Sequence, residues 1–378
     1  MKKIFVIFLF LINSVLIFAQ EETPSVILRV AIFNNLPNLE ISSPEICRIK
    51  NLSTQEWLAV ISYFKKEKVY PLPEGIKIGT QIFNTSGIRI QPLKAEGEIV
   101  INGRKYRGEI DVLKTEDLKL LVINHIELEE YLYGVLYHEV SLHWPIEALK
   151  AQAIASRTYA LYQKMVNKDR DYDLTSDFYS QVYGGRSSER YRTTRAVKLT
   201  RGKILTYKGE LFPAYFHATC GGATEDASEL WNINLPPLKG VKCDFCYQSP
   251  HYFWERFISQ KDLRERLNAY GYNFSGKILG IVPQERNLSG RIRKLLIITE
   301  NGKFAISAKE FRHIFDPQVI RSTNFEVELE PDGAIFRGYG WGHGVGLCQW
   351  GAYFMAIKGY KAEEILKFYY PGVEIANY

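Results

Sequence analysis

The hydrophobic periodicity of this 378-residue sequence changes near residue 122, and that change constrains the fold more than any other feature. Between residues 26 and 122 apolar residues mostly alternate with polar ones over short runs, which is the spacing of half-buried strands. Asn102-Gly103 is typical of a two-residue hairpin turn between two such runs. Beyond residue 122, segments with helical spacing are mixed with further strands without regular alternation. The sequence therefore predicts the α+β fold class.

Three regions follow from this pattern. Residues 1–19 are predicted to be a secretory signal peptide, because two lysines precede an apolar run that ends at a small residue, Ala19. Residues 20–122 form a β-rich N-terminal part, in which residues 52–69 are predicted to be a helix capped by Ser53. Residues 123–378 form a mixed helix and strand core with a cleft, carrying an α+β insertion at about 250–330.

The signal sequence and the charge together predict where the protein works. The apolar run is short for a membrane span, so we expect export with cleavage, and contact with the membrane only through an uncleaved signal segment. The formal net charge of +6 is mild. It suits an anionic cell wall or membrane surface and is no signature of nucleic-acid binding.

A His-Glu pair lies at residues 138–139, and another histidine follows it. A zinc-protease helix requires His-Glu-x-x-His, in which the two histidines are four residues apart on one helix face. Here His138 and His143 are five apart, so their rings diverge by roughly 140° around a helix axis. Pro145 also disfavours helix at the residue before it. We therefore exclude a zinc-protease site and interpret Glu139 as a carboxylate working without a metal.

Two helices are predicted on either side of this break, the first ending near Glu139 and the second starting at Pro145. The second is rich in alanine, which lets a neighbouring helix approach closely. Lys150 and Arg157 are seven residues apart and share a face of it. If the first helix packs on that face, Glu139 meets two cations, and the group can bind acidic or acylated sugar substituents. The alternative is a buried structural ion pair.

His217-x-x-Cys220 and Cys243-x-x-Cys246 are the clearest metal-binding pattern in the sequence. Two such pairs separated by a loop supply one nitrogen and three sulfurs for a tetrahedral structural zinc site. The alternatives are a disulfide, which an oxidising compartment favours, or free thiols. In each case the expected role is to hold the loop in place.

Two more residues bear on this site. His251 is a spare fourth ligand. Cys348 has no obvious partner in the sequence and is predicted to be a buried free thiol. With five cysteines, an exported chain leaves at least one outside intramolecular disulfides.

The glycine-rich segment at residues 338–346 permits tight backbone turns before a helix. It lacks the Gly-Lys-Ser/Thr of a phosphate-binding loop. His343 and Gln349 are predicted to line a sugar-binding cleft beside Glu139, although a lone histidine is more often a structural hydrogen-bonding group.

Three blocks of the sequence resemble the SpoIID/LytB family (stage II sporulation protein D and related proteins). They lie at residues 129–161, 182–225 and 337–375, and the segments "EALKAQAIASRTY" and "GWGHGVGLCQWGA" are their most specific parts. The resemblance implies a peptidoglycan lytic transglycosylase that cleaves glycan strands, preferably strands stripped of peptides. It implies Glu139 as the catalytic acid and base, with Lys150 and Arg157 in supporting roles.

The same resemblance bears on other residues. It implies that Gln181 and Tyr183 belong to the cleft wall and contact sugar hydroxyl and N-acetyl groups, and that a structural zinc lies at the His-x-x-Cys segment. Hydrolysing glycosidases use two carboxylates, and Asp177 is the leading candidate for a second one. A lytic transglycosylase needs one, with a pKa raised by apolar neighbours such as Val140 and Trp144.

A second function remains open from the sequence. Family members of the LytB type are described as enhancers of a partner amidase, and a fold does not fix an activity. The alternative prediction is therefore a non-catalytic wall-binding module that acts on an N-acetylmuramoyl-L-alanine amidase. Either function predicts peptidoglycan glycan strands as the binding partner.

Overall fold

The computed structural model describes residues 25–177 and 180–378, so the predicted signal peptide at residues 1–19 lies outside the described residues. Several sheets, most of them antiparallel, occur together with helices and confirm the α+β fold class. Within the described residues, no helix combines the length and apolar character that a membrane crossing requires.

The N-terminal part consists of strands. In chain order they are β1 (Ile27–Leu36), β2 (Leu39–Ser43), β3 (Cys47–Asn51), β4 (Trp57–Ile61), β5 (Phe64–Leu72), β6 (Gly75–Ile78), β7 (Gln81–Phe83), β8 (Gly87–Pro92), β9 (Glu98–Ile101), β10 (Arg104–Arg107), β11 (Glu109–Lys114) and β12 (Leu120–Glu127).

The core begins with helices and then mixes helix and strand. Its elements are α1 (Leu128–Glu139), α2 (Ile146–Val166), β13 (Leu174–Thr175), α3 (Tyr191–Leu199), β14 (Lys203–Tyr207), β15 (Glu210–Leu211), β16 (Phe216–His217) and α4 (Ser228–Trp231). Short 3₁₀ helices lie at Gly185–Ser188, Pro236–Leu238 and Cys246–Gln248.

The C-terminal third contains the inserted unit and the end of the core. The inserted unit holds β17 (Phe253–Ser259), α5 (Gln260–Ala269), β18 (Ile278–Arg286), β19 (Ile292–Thr299), β20 (Gly302–Ser307), α6 (Ala308–Ile314), β21 (Phe325–Glu330) and β22 (Gly333–Tyr339). The core then finishes with β23 (Leu347–Cys348), α7 (Gln349–Ile357), α8 (Ala362–Tyr369) and β24 (Glu374–Asn377).

Two sheets form the N-terminal part. The seven-stranded sheet has the order β13-β1-β12-β11-β8-β3-β4, and the six-stranded sheet has the order β10-β9-β2-β5-β6-β7. Alternate residues of both sheets are buried in one apolar cluster, which also includes the inner side of α1. Asn102 and Gly103 both have positive φ, as the predicted hairpin turn between β9 and β10 requires. The domain boundary at residue 122 stays a prediction, and β12 spans it before leading directly into α1.

The helix predicted at residues 52–69 with a Ser53 cap is wrong. The segment forms β4, which pairs with β3 in the first sheet, and β5, which pairs with β2 in the second. The segment combines β-branched and aromatic residues with lysines, and its apolar spacing is ambiguous between helix and strand. Strand partners distant in the sequence decide the outcome by supplying the backbone hydrogen bonds.

The two helices predicted around the Pro145 break are confirmed. The Glu127 carboxylate caps α1 by accepting hydrogen bonds from the N–H groups of Glu129 and Glu130, at 2.9 and 3.1 Å. The helix stops after Glu139, and Pro145 immediately precedes α2. The small buried residues of α2 let it pack against α1, α3, α7 and α8, so α2 forms the centre of the core.

A buried ion pair fixes α1 against α2. Arg157 and Glu129 are fully buried, and Arg157 Nε and Nη2 donate to the two carboxylate oxygens at 2.7 and 2.8 Å. Arg157 also donates to the carbonyl oxygens of Lys203 and Val197, at 3.0 and 3.3 Å. The Tyr378 hydroxyl donates to Glu129 at 3.2 Å. The pair therefore joins α1 and α2 to α3, β14 and the C-terminal residue.

Arg157→Met should strongly destabilise the fold, because it leaves the Glu129 carboxylate buried without a countercharge. We expect a loss of about 3–5 kcal/mol in the free energy of unfolding, measured by urea denaturation. The control is Lys150→Met, which breaks the partly exposed Lys150–Glu147 pair and should cost at most about 1 kcal/mol. Equal effects of the two substitutions would show that the buried pair has no special role.

Candidate functional site

Glu139 is the last residue of α1 and lines a large cavity of about 1600 Å³. The residue is partly exposed and forms part of the cavity wall. The Val182 N–H donates to Glu139 Oε1 at 3.4 Å, and the Gln349 side chain supplies another hydrogen bond. Glu139 is therefore held at the end of a helix by two neighbours while facing open space.

The surroundings of Glu139 favour its neutral form. Burial raises the pKa of Glu139 from 4.5 to about 7, against the opposing hydrogen bonds from Val182 and Gln349. Such a carboxylic acid keeps a proton close to neutral pH and can donate it to a bound substrate.

Several aromatic side chains line the cavity with Glu139. Trp144 packs edge-on to Trp350, with ring centroids 5.1 Å apart, and Tyr215 lies against Trp231 at 4.5 Å. Trp341 also lines the cavity. Flat apolar rings with polar edges suit the faces of sugar rings. The cleft that the sequence predicted therefore exists and contains Glu139.

The cations predicted to meet Glu139 do not lie beside it, so that arrangement is wrong. Arg157 is paired with Glu129, near the other end of α1, and Lys150 Nζ donates to Glu147 Oε1 at 2.8 Å. Neither cation lines the cavity. Arg157 does form a buried structural ion pair, but with Glu129 and not with Glu139, as the alternative had supposed.

Gln181 and Tyr183 are also buried away from the cavity, which corrects their predicted contact with sugars. Gln181 accepts a hydrogen bond from the Tyr131 hydroxyl at 3.1 Å, and the Tyr183 hydroxyl donates to Asn124 Oδ1 at 2.9 Å. These bonds fix the segment whose Val182 N–H reaches Glu139. The two side chains therefore hold Val182 in place from the side that faces away from the cavity.

Asp177, the predicted second carboxylate, does not line the cavity either, and its Oδ1 accepts a hydrogen bond from the Thr175 hydroxyl at 2.8 Å. Among the described residues, the carboxylates that line the cavity with Glu139 are Glu310 and Asp316. Both come from the inserted unit, which the sequence had not connected with the site.

His343 and Gln349 lie in the cavity wall as predicted. His343 Nδ1 accepts from the Val345 N–H at 3.0 Å, and its other nitrogen bonds the backbone of Phe216. Burial, followed by the charges of two nearby arginines, lowers the pKa of His343 to about 3. At neutral pH the ring is therefore uncharged and forms part of the cleft wall.

Four cysteines form a second site. The sulfurs of Cys220, Cys243, Cys246 and Cys348 lie within 4.8 Å of one another, and all four side chains are buried. In a tetrahedral zinc tetrathiolate the sulfurs are about 3.8 Å apart, since each Zn–S bond is about 2.3 Å. The N–H groups of Cys220 and Gly351 both donate to Cys348 Sγ at 3.3 Å. This cluster can hold a metal ion.

The composition of this cluster corrects two predictions. Cys348 is its fourth member and not an isolated thiol, because parallel pairing of β16 with β23 brings it to the cysteine loop. His217 is outside it: its Nδ1 donates to the Val345 carbonyl at 3.1 Å, and its ring lines the cleft. His251 is not a ligand either, since it packs against Trp341 at 4.8 Å.

Sequence reasoning missed the contribution of Trp231, Trp341 and the α6 side chains to the cleft. Isolated tryptophans carry no periodic signal, and the inserted unit offers no recognisable motif. The Cys-x-x-Cys pair and three further cysteines offer enough sulfurs for a four-sulfur site, but their spacing does not show which of them meet.

The raised pKa of Glu139 predicts a pH-dependent stability. Between about pH 4.5 and about pH 7 the folded protein binds a proton that the unfolded chain has lost, so the free energy of unfolding falls as pH rises. Glu139→Gln removes this decrease in the free energy of unfolding, because glutamine does not ionise. Between about pH 5 and about pH 8, the stability of the variant relative to wild type should rise by about 1–3 kcal/mol, measured by urea denaturation.

Glu147→Gln is the matched control for that experiment, and its stability relative to wild type should change with pH in the opposite direction. Burial opposes ionisation of Glu147, but hydrogen bonds from Lys150 and the Ala362 N–H prevail and lower its pKa. Its ionised form is therefore stabilising, and the variant should lose stability relative to wild type as pH rises. A Glu139→Gln difference that does not change with pH contradicts the raised pKa.

Comparison with known proteins supports a common origin for the part of the chain that carries this site. Residues 116–207 match the family model SpoIID, described as stage II sporulation protein, and so include α1, α2 and Glu139. Residues 241–346 match a separate model, a domain of unknown function named DUF8618, which covers the inserted unit.

Individual relatives extend the match over most of the chain. Stage II sporulation protein D of Bacillus amyloliquefaciens is 32% identical over 324 residues, covering 77% of this chain and 91% of the relative. An uncharacterized protein of Brachyspira hyodysenteriae is 37% identical over 282 residues, covering 74% of each chain. The amidase enhancer of Bacillus subtilis is 28% identical over 357 residues, covering 80% of this chain but 49% of the relative. On these matches the chain belongs to the SpoIID/LytB family.

Proposed function

We propose that this protein is an exported lytic transglycosylase that cleaves the glycan strands of peptidoglycan, with Glu139 as acid and base. The single observation that carries the proposal is a carboxylic acid, with a pKa of about 7, in an aromatic-lined cleft. The relationship to stage II sporulation protein D supports a role at the cell wall outside the cytoplasm.

The reaction can be written with this one carboxyl group. Neutral Glu139 donates its proton to the glycosidic oxygen as the bond from that oxygen to the anomeric carbon breaks. The 6-hydroxyl oxygen of the same sugar then bonds to the anomeric carbon and gives its proton to the Glu139 carboxylate. A 1,6-anhydro ring and a free hydroxyl are formed, no water is consumed, and Glu139 regains its proton.

The neighbours of Glu139 fit these two steps. Burial keeps the acid protonated before cleavage, while the Val182 N–H and the Gln349 side chain stabilise the carboxylate formed during it. Trp144 and Trp350 offer ring faces for sugars next to the acid. In this proposal Gln349 contacts both the acid and the substrate, and His343 shapes the cleft.

The cysteine cluster is proposed to hold a structural zinc ion. Its four buried sulfurs have the number and spacing for tetrahedral coordination, and zinc prefers such thiolate sets. The cluster joins the loop after β16 to β23 and the start of α7, and Gln349 directly follows Cys348. A bound ion would fix this junction, and no step of the reaction depends on it.

The amidase enhancer of Bacillus subtilis supports a second candidate function, that of a wall-binding module that stimulates a partner amidase. In that case the cleft binds glycan without cleaving it, and Glu139 is dispensable. The products formed from glycan distinguish the two functions.

Purified protein incubated with peptide-free glycan strands should yield fragments with 1,6-anhydro ends, detected by mass spectrometry. Cleavage should be fast below about pH 7 and slow above it, because the acid must be protonated. Glu139→Gln should reduce the rate by about a hundredfold to ten-thousandfold while glycan binding persists.

Glu147→Gln serves as the control for that experiment, because Glu147 lies outside the cavity and its loss should leave the products unchanged. Ordinary reducing ends in place of anhydro ends would indicate hydrolysis. If the wild-type protein leaves the strands intact but accelerates an amidase, the second function is correct.

Metal analysis of the purified protein should find about one zinc ion per chain. Cys348→Ser should lower both the zinc content and the thermal midpoint, whereas His217→Asn and Cys47→Ser should retain the metal because neither residue belongs to the cluster. A metal-free protein with two fewer hydrogens by mass, indicating a disulfide, would contradict the zinc site.

A further inference from the structure

Buried polar contacts fix the inserted unit to the core. Arg291 is fully buried, and its Nη2 donates to the Cys220 carbonyl at 2.9 Å. Its Nε lies 3.9 Å from the buried Glu225 carboxylate of the core. Asn287 and Ser289 donate to the same carboxylate at 2.6 and 2.9 Å. These contacts hold the inserted unit in one position on the core, although it also has an apolar cluster of its own.

That position makes the inserted unit a wall of the Glu139 cavity. Lys309, Arg312 and His313 of α6 line the cavity, as does the loop at residues 316–318 that follows. Lys309 Nζ donates to the Leu230 carbonyl of α4 at 3.1 Å, which ties α6 to the aromatic side of the cleft. The unit can therefore contact a ligand that fills the cavity containing Glu139.

Arg312 is oriented by its backbone contacts. Its Nε donates to the carbonyl oxygens of Ile320 and Arg321, at 3.1 and 3.2 Å. Its two terminal nitrogens make no hydrogen bond or ion pair with any described residue, and they remain accessible to solvent in the cavity. The guanidinium group is thus held through its Nε, while its two terminal nitrogens are free to bind a ligand.

The charge of Arg312 lacks a direct countercharge. Burial, and then the charge of Arg291, lower its pKa to about 10, and Asp316 opposes this only through space. The group is therefore still a cation at neutral pH. A half-buried cation without an ion pair is costly, and a ligand that brings an anion removes that cost. Two parallel N–H donors match a carboxylate better than any other common anion except phosphate.

The surroundings of Arg312 indicate which carboxylate would fit. Its charge acts on His343, which packs against Trp231 with ring centroids 5.1 Å apart. Trp231 in turn lies against Tyr215. A cation beside aromatic rings suits a ligand that combines a sugar ring with an acidic group.

We infer that Arg312 of the inserted unit binds the lactyl carboxylate of a muramic acid residue in the cleft. The inference rests on the proposed function for the identity of the polymer, and it assigns to the inserted unit the selection of strands whose muramic acid carries no peptide. A peptide bonded to that carboxyl group would remove the negative charge that Arg312 pairs with.

The test measures binding with Glu139→Gln protein, so that cleavage does not interfere. The probes are fluorescent peptide-free glycan strands and the same strands with their carboxyl groups methylated. Adding Arg312→Gln should weaken binding of the free-acid strands by about tenfold to a hundredfold and leave binding of the methylated strands nearly unchanged. Arg312→Lys should retain part of the preference, because it keeps the charge but loses the fork.

Lys303→Gln is the control for charge, since Lys303 is exposed on β20 of the same unit and does not line the cavity. Equal losses for free-acid and methylated strands, no loss for either, or no binding of either strand by the parent protein would each overturn the inference. A free-acid preference that depends on Arg312, in a wild-type protein that forms no anhydro ends, would refute the proposed cleavage and leave this inference standing.

Discussion

The buried ion pair between Arg157 and Glu129 is the interaction on which the rest of the structure depends. It joins the start of α1 to the middle of α2, and its further hydrogen bonds reach α3, β14 and the C-terminal residue. The other end of α1 carries Glu139 into the cleft. A pair this deeply buried is costly to break, so it holds the helix, and with it the acid, in one position.

The site divides its charges between two environments. Lys150 and Arg157 are paired with carboxylates away from Glu139, so that burial, opposed only by the hydrogen bonds from Val182 and Gln349, raises the pKa of the acid. Arg312, which lines the cavity without an ion pair to any described residue, comes from the inserted unit. This separation lets Glu139 keep its proton up to about pH 7 and leaves a positive charge available for a substrate carboxylate.

The sequence was sufficient for features that depend on neighbouring residues. The Pro145 break, the helices beside it and the Asn102-Gly103 turn all follow from local rules, and they are confirmed. The partners of Arg157 and Cys348 could not be predicted, because each depends on which elements pack together across long stretches of chain. The helix prediction for residues 52–69 failed for the same reason, since the segment forms two strands whose pairing partners lie in two different sheets.

Direct titration of the Glu139 carboxyl group tests the central claim of an acid kept neutral by burial. Carbon-13 NMR of the folded protein, with Glu139→Gln used to assign the signal, should show a midpoint near pH 7. A midpoint close to the ordinary value of 4.5 would mean that Glu139 is ionised at neutral pH and cannot serve as the acid.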